Sequence, residues 1–102
     1  YDSFTLSTVK RLRFDKCFIT SACISATFGL SIQKSRSVEL TNTVISNSKF
    51  VVGLYPTEKI GFDSIISICP AAKLDCLITD SEAAEDDLIQ FEEIGTEVKI
   101  AE

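Results

Sequence analysis

The feature that most limits how this chain can fold is a set of short apolar runs. KCFITS (16–21), KFVVGLY (49–55) and DCLIT (75–79) combine β-branched, aromatic or cysteine side chains on both parities, and EVKIA (97–101) follows as a last strand-like run. A strand of that composition has no face suited to water, so it belongs in a sheet covered on both sides, which is the environment of parallel strands. Parallel neighbours need crossover connections, and the stretches between the runs read as helices. Residues 3–13 place Phe4, Val9 and Leu12 near helical spacing, although Ser and Thr dilute the pattern. Residues 36–48 put Val38, Thr41 and Ile45 along one side, with Leu40 and Val44 beside them.

Before the last run, Asp80 or Ser81 is placed to cap a helix. Glu82 and Glu85 would occupy its first turn, Ala84, Leu88 and Phe91 its apolar side, and Gly95 its left-handed stop. Pro56 ends the second run, residues 57–64 are turn-like around Gly61, and residues 21–35 read as a loop with one glycine, Gly29. IISIC (65–69) is an apolar segment of either type, ended by Pro70. The order is helix, strand, helix, strand, strand, helix, strand. It predicts an α/β fold: an open, mostly parallel sheet of about four strands with helices on both faces, a Rossmann-like three-layer arrangement. At 102 residues this is one domain. Ligands of such sheets sit beyond the carboxyl ends of the strands, here at loops 20–35, 55–62 and 79–82.

Composition excludes several function classes. The formal charge is −5, divided as +4 over residues 1–49 and −9 over residues 50–102. An acidic chain is a poor generic partner for a phosphate backbone. The basic cluster Lys10, Arg11, Arg13 is expected to close the first helix, offsetting its negative end. No apolar run approaches the ~20 residues that span a bilayer. No basic-then-apolar leader opens the chain, which starts at Tyr1 and has no methionine. A cytoplasmic protein is expected, and a piece of a longer product.

There is no histidine, and Cys17, Cys23, Cys69 and Cys76 form no C-x-x-C pair, so the common zinc patterns are missing. All four cysteines are expected as reduced thiols. Glu82, Glu85, Asp86, Asp87, Glu92 and Glu93 spread around a helix rather than converging, so no metal and no cofactor are expected. Acid–base work would fall to carboxylates, Lys or Tyr. The pair Asp15-Lys16 precedes a strand and so belongs at the end opposite the ligand loops. No G-x-S-x-G, Walker loop or G-x-G-x-x-G occurs, and no catalytic residue is expected. The residues that suit a ligand are in the loop 20–25, TSACIS, which offers hydroxyls and backbone N–H groups for a phosphate or sugar. Lys59 lies in the neighbouring loop as a point charge. An ordinary strand-to-helix loop is the alternative reading of the same residues.

The ordered set FDKCFITSACIS, GLS, SNSKFVVGLYPTEKIG, LDCLITD and FEEIGTEVKIAE resembles the effector-sensing domain of DeoR-type bacterial transcriptional repressors, over residues 12–102. The resemblance implies a non-catalytic domain similar to sugar-phosphate isomerases that keeps their cleft as a sensor. It also implies a phosphorylated sugar as effector, a homo-oligomer, and operator DNA bound only through an N-terminal winged helix-turn-helix outside these residues. The implied cleft residues are Ser21, Ser25, Gly29 and Lys59. The chain departs from the family pattern at Thr20 and Cys23, where the family has glycines, at Pro56, where it has Asp, and at Thr41, where Lys is common. Side chains at positions 20 and 23 hinder the close backbone approach that phosphate recognition uses. If only the second half of the sensor is represented, the face left by the other half should be apolar and drive self-association. Two alternatives stand beside this reading. One is a fragment of a sugar-phosphate isomerase-like enzyme, with Glu39 as the carboxylate nearest the cleft; the other is a ligand-free oligomerisation module.

Overall fold

A computed structural model describes residues 3–101. Its elements are α1 (Ser3–Val9), β1 (Phe14–Ile19), β2 (Cys23–Ser25), β3 (Gly29–Ile32), α2 (Val38–Ser46), β4 (Ser48–Leu54), β5 (Ile66–Cys69), β6 (Cys76–Asp80), α3 (Glu85–Glu93) and β7 (Glu97–Ala101). Short 3-10 turns cover Ser35–Ser37, Thr57–Lys59 and Ala71–Lys73. The four apolar runs form one parallel sheet in the order β1-β4-β6-β7.

Register assigns the two faces of that sheet. Ile19 is opposite Gly53, Gly53 opposite Leu77, and Leu77 opposite Val98, so these side chains share a face. With Cys17, Val51 and Tyr55 they pack into the core beside Ile24, Leu30, Ile45, Ile60, Leu74 and Phe91. The opposite row contains Phe18, Val52 and Cys76, flanked by Phe50 and by the pair Leu54 and Ile78. Phe18, Phe50 and Leu54 on that side are 61%, 38% and 42% exposed. Lys16 lies over the Phe50 ring, 5.9 Å from its centre.

A second sheet was not expected. β2, β3 and β5 form a three-stranded antiparallel sheet in that order. Residues 21–35 are therefore largely a hairpin rather than a loop, and 66–69 is its third strand. Ile24 and Leu30 are fully enclosed, so this small sheet is part of the core. The hairpin turns at Gly29, whose φ is +91°. A Cβ at that position would lie 2.1 Å from the Cys69 carbonyl oxygen, so only glycine fits. The Ser25 hydroxyl accepts the Phe28 amide at 3.1 Å and completes the turn.

The helices depart from expectation at their ends. α1 stops at Val9, so Lys10, Arg11 and Arg13 follow the helix instead of closing it. The Asn47 side chain donates to the Val9 and Lys10 carbonyls at 3.3 and 3.4 Å, tying that end to the end of α2. α2 begins at Val38, after a 3-10 turn, and anchors through Ile45 in the core and through Asn42 donating to the Ile68 carbonyl at 2.8 Å. α3 begins at Glu85, with Ala84 in the cap position. Asp80 cannot cap it because Asp80 is still in β6 and its carboxylate is taken elsewhere. Phe91 is buried, Leu88 is half-buried and Ala84 is exposed. Gly95, with φ +92°, ends the helix as expected. No helix among the described residues is long and apolar enough to cross a membrane.

Candidate functional site at the strand ends

The carboxyl ends of β1, β4 and β6 are joined by side-chain and backbone hydrogen bonds. Ser21 follows β1, is buried, and donates to the Cys23 carbonyl at 2.9 Å while accepting from the Tyr55 hydroxyl at 2.7 Å. Tyr55 follows β4. Its burial, moderated by the Ser21 bond, pushes the phenol up to about 12. It therefore stays protonated as a donor in any ordinary solution. The next loop is fixed at two points: the Gly61 amide donates to the Ile24 carbonyl at 2.8 Å, and the Thr57 amide donates to the Asp80 carboxylate at 3.0 Å. The Thr57 hydroxyl also donates to Asp80, which accepts the Glu82 amide at 2.9 Å as well. These bonds, the Thr57 hydroxyl first, hold the Asp80 carboxyl below its usual range.

Within this frame, three of the four residues singled out from sequence have polar or backbone work already assigned. Ser21 is engaged with Cys23 and Tyr55. Ser25 accepts from Phe28 and donates to the Asp63 carboxylate. Gly29 makes the hairpin turn. Lys59 closes the 3-10 turn after β4, is half-buried, and makes no ion pair among the described residues. Thr20 is exposed, and Cys23 is a half-buried β2 residue opposite Ser31. Glu39 pairs with Lys10 at 3.7 Å, both side chains being mostly solvated. Asp15, at the amino end of β1, meets Lys49 at 3.9 Å on the surface. All four cysteines are free, and burial raises the Cys69 and Cys76 thiols.

Two concavities border the rim. One, of about 290 Å³, is lined by Leu54, Tyr55, Pro56, Ile78, Thr79, Asp80 and Ala101, at the carboxyl ends of β4, β6 and β7. The other, of about 370 Å³, is lined by Ala22, Ile32, Gln33, Lys34, Arg36 and Ser37. Its polar residues were not singled out from sequence. The available signal was the run QKSRS, directly after the GLS of the motif set.

A four-stranded parallel sheet with helices, a small antiparallel sheet beside it and concavities at its strand ends make this a domain of the α/β class. The DeoR C-terminal sensor domain family matches residues 1–81, and the chain belongs to that family. It is similar to the HTH-type transcriptional regulator GolR of Listeria innocua, with 29% identity over 107 aligned positions covering 99% of this chain and 42% of that protein. The chain thus spans about two-fifths of the length of that relative. The family assigns these residues to the sensing side of transcription regulation.

Proposed function

We propose that this chain is the effector-sensing portion of a bacterial, cytoplasmic DeoR-type repressor of carbohydrate metabolism that reads a phosphorylated sugar and catalyses nothing. The observation that carries the reading is the sensor-family match on a sheet whose strand-end loops are pinned around open clefts. Lys59 supplies a cation on the rim with no ion-pair partner among the described residues, suited to the effector's anionic group. Ser21, Ser25 and Gly29 act by holding the loops in place. Operator DNA is read by a DNA-binding domain outside these residues, in keeping with the helix-turn-helix in the relative's name. Effector binding acts by linkage: it stabilises one arrangement of subunits over another and changes operator affinity by that difference. The subunits associate through the exposed row Phe18, Phe50 and Leu54, an apolar surface of the kind that marks interfaces.

The test is the thermal midpoint and operator affinity of the complete gene product across a panel of phosphorylated sugars. One compound should raise the midpoint in a concentration-dependent way and alter operator affinity, and Lys59→Ala should weaken both effects. A folded protein that answers to no phosphorylated sugar sinks the reading.

A further inference from the structure

β7 is an edge strand with a free side. It pairs with β6 alone, and no other described segment bonds to its outer edge. The Glu97 amide donates inward, to the Asp75 carbonyl at 3.0 Å. In a parallel ladder successive residues turn their backbone groups to opposite sides, so Val98 and Ile100 present theirs outward. Edge groups of this kind are a template for another strand unless side chains guard them. Here Glu97 and Lys99 stand on one face of the sheet, and Val98 and Ile100 on the other. Glu97 and Lys99 lie 3.7 Å apart and are each 63% exposed, so both charges stay open to a further partner. Ile100 is 43% exposed, while Val98 packs partly against the core.

The strand that fits this edge is a second β7. A two-fold axis normal to the sheet sets β7 antiparallel to itself, keeps each face on its own side, and lets only residues of like parity stand opposite. An axis at Lys99 opposes two lysines, one at Glu97 opposes two glutamates, and one at Ile100 opposes Lys99 to Ala101. Only an axis at Val98 opposes unlike charges. It places Glu97 of each copy opposite Lys99 of the other, in the closer, non-hydrogen-bonded pairs. The two Val98 residues then exchange N–H···O=C bonds, and the Ile100 amide of each copy reaches the Thr96 carbonyl of the other. We infer that β7 is a self-pairing edge: two copies of this chain join antiparallel about a two-fold at Val98, and their two four-stranded sheets become one continuous sheet. Lys99 guards the edge against misregistered pairing, and Glu97 turns that guard into a match at one register. The contact lies outside residues 1–81 matched by the sensor family. It is distinct from the row Phe18, Phe50 and Leu54 and independent of any effector.

The experiment is sedimentation equilibrium of the complete gene product at low salt. The parent should self-associate. Glu97→Lys and Lys99→Glu should each weaken that association about ten-fold, because like charges replace both cross-strand pairs. Both positions are exposed, so the variants should stay folded. The exchanged variant Glu97→Lys/Lys99→Glu should associate as the parent does. An equimolar mixture of the two single variants should do the same, by pairing a copy carrying two lysines with a copy carrying two glutamates. A monomeric parent, single variants that associate like the parent, or an exchanged variant and mixture no stronger than the single variants each overturn the contact. Association that survives every one of these changes but is lost in Phe18→Asp overturns it in favour of the open sheet face.

Discussion

Two neighbouring segments, 20–29 and 33–37, are both rich in small polar or charged residues, yet the fold uses them in opposite ways. In the first, Ser21, Ser25 and Gly29 are consumed by the architecture: a buried hydroxyl chain to Tyr55, a turn cap, and a left-handed hairpin corner. In the second, the side chains of Gln33, Lys34, Arg36 and Ser37 are exposed and make no hydrogen bond or ion pair among the described residues. A hydroxyl near a strand end is a ligand group only if the hairpin beside it has not already claimed it. Polar side chains that contribute to folding and those without a bond among the described residues are thus separated by a few positions along the same rim.

The contrast can be broken most severely at Gly29. Gly29→Ala combines a positive φ with a Cβ that would overlap the Cys69 carbonyl, and should destabilise by on the order of 3 kcal/mol in denaturant unfolding. Gly95→Ala, with a similar φ but open space around the new atom, should cost only about 1 kcal/mol. If the two are equal, the close approach of β3 to β5 is not what fixes the hairpin.

A mid-sized effect is expected from alkali. Tyr55 keeps its proton to about pH 12 when folded but loses it near pH 10 when unfolded, so between these values the folded state binds the extra proton. Its contribution is fully present below pH 10 and falls by about 1.4 kcal/mol per pH unit above it. Tyr55→Phe should flatten that part of the stability profile. An unchanged slope would mean that the Tyr55 phenol is not buried in solution. The smallest effect belongs to the other segment: Lys34→Ala/Arg36→Ala should leave the unfolding midpoint within about 0.5 kcal/mol of the parent. A larger loss would show that these cations do structural work and would erase the distinction between the segments.

The parallel sheet was legible because runs such as KFVVGLY and DCLIT are apolar on both parities and are followed by Pro56 or by Asp80 and Ser81. Gly95 was legible as a helix stop for the same local reason. The small antiparallel sheet was not. β2 has three residues and β3 and β5 four each, too short to display a period. The partners Ser31 and Ser67 are also far apart in sequence, so their pairing is a tertiary fact. Asp80 misled for a related reason. It has the chemistry of a helix cap, but β6 extends far enough to carry it into the Thr57 loop, where it ties one strand end to another. The candidate site was legible only as a location. Which side chains on the rim are unengaged depends on partners such as Tyr55 and Asp63, contributed by distant segments.

The row Phe18, Phe50 and Leu54 on the open side of the sheet has a consequence for the life of the protein in the cell. Exposed aromatic and aliphatic surface on a folded sheet is what chaperones and quality-control proteases respond to when they sort polypeptides. A partner that shielded that row would be expected to slow proteolysis as well as to fix shape.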